Sequence, residues 1–282
     1  MIRRSAFDAL LVDLDGTLLD GRGRVRPRNA AALQALQAAG VRVMIATGRS
    51  TVATLPAVEH LELVTPMLVF NGAGIWCPRE ERLLEERILA TRTVRRALDW
   101  GRERGYLMVT QLAREKYALR PRNSEEEQAL AFFHGLQLVE PEELPDEYVM
   151  RVIYYSPDHE CSQDLASEVQ GVLGAPAYLT DFPLSLLVTH RASPMNVVDV
   201  HPPIRGKAEG VRFLGEHHGI TPDRVVAIGD ASNDISMLLE AGLGVAMESA
   251  CERTRAAADR VIGHHDTDAI AELVEELFGI EV

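Results

Sequence analysis

Three short apolar runs, Ala9 to Val12, Val41 to Ala46 and Val225 to Ile228, each give way abruptly to residues rich in Asp, Thr, Gly and Asn. Parallel strands buried on both faces have this continuous apolar character. In open α/β sheets ligands sit beyond the carboxyl ends of such strands, so the polar ends are where chemistry is expected. A helix is expected from Pro27 to Ala39, a further strand from Met67 to Phe70, and another helix through Ile235, Met237, Leu238 and Leu239.

The pattern changes from about Leu83 to about Arg191, where helical segments alternate with short strands. The expected elements are Thr91 to Arg104, Tyr106 to Thr110, Lys116 to Leu119, Ser124 to His134, Val149 to Tyr155, Asp158 to Leu173, Ala177 to Thr180 and Leu184 to Thr189. This is the signature of a small α+β domain. Little more than one helix separates Thr17 from Thr47, which leaves no room for an insertion there, whereas more than half the chain separates Thr47 from Lys207. With 282 residues, 46% of them hydrophobic, the chain supports two cores. The expected division is a discontinuous α/β domain, 1–82 with 192–282, and an inserted domain, 83–191.

The end of the first strand, Asp13-Leu14-Asp15-Gly16-Thr17-Leu18-Leu19, carries the sharpest chemical signal. Two carboxylates one residue apart divide labour, the first attacking as a nucleophile and the second carrying a proton, and the glycine lets the backbone turn directly after them. An isolated Asp-Gly pair would be a polar turn. A calcium loop also opens Asp-x-Asp, but it needs a third oxygen ligand before its glycine and a Glu at loop position 12. Here Gly16 comes too early and Arg24 stands where that Glu belongs.

The second strand delivers Thr47-Gly48-Arg49, and the third Gly229-Asp230-Ala231-Ser232-Asn233-Asp234. Lys207, in Gly206-Lys207-Ala208, begins the helix before the third strand. Singly, Thr47 could cap a helix, Lys207 could be an exposed first-turn lysine and Asp230 an ordinary turn acid. Brought into one crevice, Asp13, Asp15, Asp230 and Asp234 would repel one another unless a cation lay among them. Hard oxygen donors, with no Cys or His in these motifs, suit Mg²⁺.

Taken in this order, the four motifs resemble the haloacid dehalogenase superfamily, and within it the Cof-type phosphatases with a type IIB (C2B) cap. Asn71-Gly72-Ala73 and Val245-Ala246-Met247 are similar to that subgroup as well. The resemblance implies a Rossmann-like parallel-sheet core whose inserted α+β cap supplies substrate contacts. It implies a Mg²⁺-dependent phosphatase of small-molecule phosphomonoesters, sugar phosphates first and phosphorylated cofactors such as pyridoxal phosphate second. In that scheme Asp13 becomes an aspartyl-phosphate and Asp15 acts as acid, then base. The metal ligands are the Asp13 carboxylate, the Asp15 backbone carbonyl and Asp230. Thr47, Gly48 and Lys207 hold the phosphoryl oxygens, while Asn233 and Asp234 orient Lys207, the metal or its waters. Arg49 and Asn71 lie near the phosphate, although Arg49 could instead form a structural ion pair with a carboxylate. A phosphomutase is the enzymatic alternative, and a metabolite-binding or interaction protein on the same fold is the non-catalytic one. In the cap, Arg151, Tyr154, Tyr178, His190 and Arg191 are candidates for setting specificity.

Charge narrows the partners. The 29 Lys and Arg against 42 Asp and Glu give a formal charge of −13, which argues against nucleic acid or an anionic membrane. Arg22 to Arg28 is the local exception, read as a solvated loop before a helix, with a flap touching substrate or partner as the alternative. No run reaches the length of a membrane helix, and Asp8 and Asp13 interrupt the segment after Arg3 and Arg4, so no signal peptide is expected. Cys77, Cys161 and Cys251 lack metal-ligand spacing and fit a reducing cytoplasm. The pairs His217-His218 and His264-His265 are read as surface residues, because adjacent side chains on a helix diverge. The segment Gly263-His264-His265-Asp266-Thr267-Asp268-Ala269 departs from the family pattern, which has an Asn and an Asp-Gly there.

Overall fold

The structure is a computed structural model that describes residues 6–131, 133, 135–186 and 190–281. Arg3, Arg4 and the ends of the expected helix to 134 and strand to 189 lie outside these residues. The chain divides into two compact units, Met1–Glu85 with Arg205–Val282, and Glu86–Ile204.

The first unit opens with β1 (Ala9–Val12), α1 (Pro27–Ala38), β2 (Arg42–Ile45), α2 (Thr51–Val58), β3 (Met67–Val69), β4 (Gly74–Cys77) and β5 (Arg82–Glu86). The second holds α3 (Thr91–Arg104), β6 (Leu107–Gln111), β7 (Lys116–Leu119), α4 (Ser124–Leu130), β8 (Leu136–Val139), β9 (Arg151–Ser156), α5 (Ser162–Leu173), β10 (Tyr178–Pro183) and β11 (Asn196–His201). The first unit resumes with α6 (Glu209–His218), β12 (Val225–Gly229), α7 (Ile235–Glu240), β13 (Leu243–Met247), α8 (Glu252–Ala257), β14 (Arg260–Ile262) and α9 (Ala269–Phe278).

In the first unit five parallel strands run in the order β14-β13-β12-β1-β2. Alternation along each strand sorts its side chains between two cores. Leu10, Val12, Val43, Ile45, Val226 and Ile228 pack with Leu33 and Leu36 of α1 and Val274 and Phe278 of α9. Ala9, Leu11, Met44, Val225 and Ala227 pack on the other side with Val211 and Leu214 of α6 and Met237 and Leu238 of α7. Covering both faces is why β1 (Ala9–Val12) and β12 (Val225–Gly229) carry no polar side chain until they end. Val12 lies opposite Ile228 on one side and Ile45 on the other. That register brings the residues after β1, β2 and β12 to one edge of the sheet.

The second unit is a six-stranded sheet, β10-β11-β9-β6-β7-β8, antiparallel except for the parallel pair β7–β8. Helices α3 and α5 cover one face through Val94, Ala97, Leu98, Leu165 and Val169, against Met108, Val152, Tyr154 and Val200. Leu107, Val109, Ile153, Tyr155 and Val197 form the other face with Ala129 and Leu130 of α4. The expected boundary at 191 moves to 204, because β11 pairs with β9 and β10 and not with the five-stranded sheet. The expected strand from Leu184 instead begins as a 3₁₀ turn, Leu184–Leu186. Among the described residues no helix is long and apolar enough to cross a membrane.

Leu10 is fully buried in β1, between β12 and β2, so Leu10→Ala is expected to destabilise the chain by about 2–5 kcal/mol through lost burial plus the cavity left behind. Urea unfolding measures this, and a midpoint unchanged from wild type would contradict the assigned core.

Candidate active site

The edge set by β1, β2 and β12 carries a buried charge network. Lys207, 1% exposed, donates from Nζ to Asp13 Oδ1 and to Asp234 Oδ1, both at 2.5 Å. Asp234 Oδ2 accepts the backbone N–H groups of Asp230 and Ala231, each at 2.9 Å. Both oxygens of Asp234 therefore serve the loop after β12 and the lysine. Thr17, which sequence reasoning did not single out, donates to Asp230 Oδ1 at 2.8 Å. Its hydroxyl, four positions after Asp13 in the same loop, was the available signal.

Two close approaches make this arrangement possible. Gly16 adopts φ +78°, and a Cβ there would collide with the Asp230 carboxylate. Gly72, at φ +104°, leaves the space that the Gly206 carbonyl occupies, which lets the segment carrying Lys207 lie against the Asn71-Gly72 turn.

Burial pushes the Asp13 carboxyl well above its usual range; Lys207 offsets part of this, and the charges of Asp234, Asp230 and Asp15 add to it. Burial, reinforced by Asp234, pushes Asp230 up to about 6. Burial also opposes the charge on Lys207, but Asp13 and Asp234 outweigh it and hold the ammonium above its ordinary range. Oxygen atoms of Asp13, Asp230 and Asp234 lie within 4.8 Å of one another, an all-oxygen donor set that fits Mg²⁺. With Asp234 committed to Lys207 and the loop, Asp13 and Asp230 are the carboxylates with oxygens to offer.

Asp15 is held differently. Arg49 grips it bidentately, Nε to Oδ2 at 2.8 Å and Nη2 to Oδ1 at 2.5 Å, while the Asp15 side chain remains 56% exposed. The ion-pair alternative for Arg49 is therefore realised, and with the second acid of the Asp-x-Asp pair. Thr47 is buried and its Oγ1 accepts Arg49 N–H at 3.1 Å, whereas the N-cap of α2 is Ser50. Asn233 donates to Asn71 Oδ1 at 2.9 Å, and Asn71 lies close against Gly48.

Two of the specificity candidates in the second unit are occupied in packing. Tyr154 is wholly buried with its hydroxyl on the Ala97 carbonyl at 2.8 Å. Arg151 is buried against Asp199 at 2.9 Å and Gln111 at 2.7 Å. His190 contacts the Gln128 carbonyl through Nε2 at 3.1 Å, and Arg191 is exposed.

Residues 10–274 match the profile of the haloacid dehalogenase-like hydrolases. The chain belongs to the haloacid dehalogenase-like hydrolase family. Among relatives in this family, the 5-amino-6-(5-phospho-D-ribitylamino)uracil phosphatase YitU of Bacillus subtilis is 27% identical over 286 residues, spanning 96% of this chain and 97% of that protein. The pyridoxal phosphate phosphatase YbhA of Escherichia coli is 28% identical, over 94% of this chain and 96% of its own length. A haloacid dehalogenase-like hydrolase from Bacteroides thetaiotaomicron superimposes with a TM-score of 0.77 at 25% identity, over 96% of this chain and 100% of that one. A subclass IIB sugar phosphatase shares the fold with a TM-score of 0.80 at 24% identity, over 97% and 100%. The chain is thus a Cof-type member of the family, with the parallel-sheet core and inserted cap domain of that fold, and a phosphoric monoester hydrolase by class. Phosphatases of the family generally use Mg²⁺.

A raised carboxyl pKa gives a stability term with a definite sign. Folded Asp230 keeps its proton to about pH 6, while an unfolded Asp releases it near pH 4, so Asp230 weakens the metal-free fold as pH rises between these values. Mg²⁺ is expected to raise the Tm more at pH 7.5 than at pH 5, and Asp230→Asn is expected to remove most of the difference. Thermal unfolding with and without Mg²⁺ tests this, and an equal shift at both pH values would contradict it.

Proposed function

We propose that this chain is a Mg²⁺-dependent phosphatase that hydrolyses small-molecule phosphomonoesters through an aspartyl-phosphate on Asp13. Sugar phosphates are the first substrate class, and phosphorylated cofactors such as pyridoxal phosphate the second. The observation that carries the reading is Asp13 at the end of β1, fixed by the Lys207 ammonium, with a second aspartate two residues away on the same loop. The relatives named for phosphorylated small molecules support the substrate class.

Lys207 supplies positive charge where a phosphate dianion approaches the Asp13 carboxylate, and it fixes that carboxylate by one oxygen so that the other can attack. Asp234 holds Lys207 and shapes the loop that presents Asp230. Asp13, the Asp15 backbone carbonyl and Asp230 would hold Mg²⁺, which would supply Lewis-acid neutralisation of phosphoryl charge. The Asp13 oxygen forms a bond to phosphorus as the bond to the leaving oxygen breaks, and Asp15 gives that oxygen its proton. Ionised Asp15 then takes a proton from water as the water oxygen bonds to phosphorus and the Asp13–phosphorus bond breaks. Thr47 and the backbone around Gly48 hold the phosphoryl oxygens. Arg49 acts as a positioning residue: its two contacts on Asp15 must open before that carboxyl can carry a proton to the leaving group.

Phosphate release from a panel of phosphomonoesters, with and without Mg²⁺, is the test. Asp13→Asn is expected to abolish turnover, and Asp15→Asn to lower kcat by about 10²-fold or more while preserving Mg²⁺ binding. Full activity in either variant would remove the mechanism. Arg49→Gln is expected to lower kcat with little change in KM, because its contacts are on Asp15. A raised KM with kcat unchanged would instead assign Arg49 to phosphate binding alone.

A further inference from the structure

The departure from the family pattern at Gly263–Ala269 assembles a group of nitrogen and oxygen donors away from the motif residues. His264 and His265 do not sit on a helix, as the sequence reading assumed; they lie in the connection between β14 and α9. In that conformation adjacent side chains can converge. Their ring centroids are 4.1 Å apart, and one donor atom each from His264, His265 and Asp266 falls within a 4.8 Å set. His264 Nδ1 is 3.6 Å from Asp266 Oδ2, and His265 Nε2 is 3.9 Å from Asp266 Oδ1.

We propose that His264, His265 and Asp266 form a second metal site, one that takes a Zn²⁺-class ion and ties the loop before α9 to the turn that follows the Asp13 loop. Tetrahedral Zn²⁺ with bonds of about 2.0–2.1 Å needs its ligands roughly 3.3 Å apart. The present separations exceed this by a few tenths of an ångström to about 1.5 Å, a closure that partly exposed side chains on a turn can make. Imidazole nitrogens favour Zn²⁺, Ni²⁺ or Cu²⁺ over Mg²⁺, so this set is chemically distinct from the all-oxygen group at Asp13.

The surroundings prepare two of the three ligands. Ser249 Oγ lies 3.3 Å from His265 Nδ1, and a hydrogen bond there orients the ring with Nε2 directed to the ion. Asp266 Oδ1 accepts Gly21 N–H at 2.7 Å, which leaves Oδ2 for coordination and joins the site to the turn at Gly21. The third, His264 Nδ1, accepts Asp266 N–H at 3.2 Å, a bond that an ion on this nitrogen would displace. Another group, Glu85, Glu216 and His217, has comparable spacing but already holds a cation, since Arg212 pairs with both glutamates. No Lys or Arg ion pair is recorded for Asp266 among the described residues, where its recorded ion-pair partners are the two histidines.

The test is calorimetric titration of the untagged 282-residue chain with ZnCl₂ in excess Mg²⁺, with Tm measured in parallel. Wild type is expected to bind one Zn²⁺ per chain and to gain Tm. His264→Gln and His265→Gln are each expected to weaken binding by about tenfold or more. Asp266→Asn, which keeps an oxygen for Gly21 N–H, is expected to weaken it without lowering the zinc-free Tm. Asp13→Asn is expected to bind Zn²⁺ as wild type does. No Zn²⁺ binding, unchanged affinity in the histidine variants, or loss confined to Asp13→Asn would overturn the site.

Discussion

Lys207 carries one positive charge into a space almost closed to solvent and divides it between Asp13 and Asp234. An ammonium buried without partners would lose its charge or unfold its surroundings, and removing one member of such a network leaves the others uncompensated. Much of the site hangs on this contact. Asp234 can hold the backbone after β12 because its other oxygen is secured by Lys207, and Asp230 is presented by that same backbone. Gly72 and Gly206 are what permit the lysine segment to approach so closely.

The network is not neutral. Asp13, Asp230 and Asp234 stand against a single ammonium, and burial, reinforced by the neighbouring carboxylates, raises Asp13 and Asp230. A divalent cation resolves it in one step, which connects the electrostatics of the fold to the proposed chemistry. The Asp15–Arg49 pair is of another kind. It is half exposed, so it adds little to stability, but it fixes where the second carboxyl waits.

The strands, the order of the motifs and the residues of the charge network were legible in the sequence. Strands covered on both faces announce themselves by unbroken apolar runs, and polar residues at their ends then have few roles. The end of the inserted unit was less legible. Asn196–His201 includes the apolar Val197, Val198 and Val200 and could equally have joined the core sheet; only its pairing with β9 and β10 decides. Arg49 was open between phosphate and a carboxylate because a guanidinium suits both. Tyr154 looked available for ligand recognition, yet its hydroxyl is satisfied by a carbonyl inside the unit. His264 and His265 lie in the connection before α9 and not on a helix, and divergence of neighbours is a property of helices and strands, not of turns.

The central claim is that Asp13 becomes covalently phosphorylated. The most direct measurement is acid-quenched mass mapping of Asp15→Asn after mixing with p-nitrophenyl phosphate and Mg²⁺, because this leaving group departs without an acid while hydrolysis of the intermediate lacks its base. The account predicts one phosphoryl group on the peptide containing Asp13, absent when Asp13→Asn is added. Release of p-nitrophenol with no phosphorylated peptide at any quench time, or with phosphate on another residue, would contradict it.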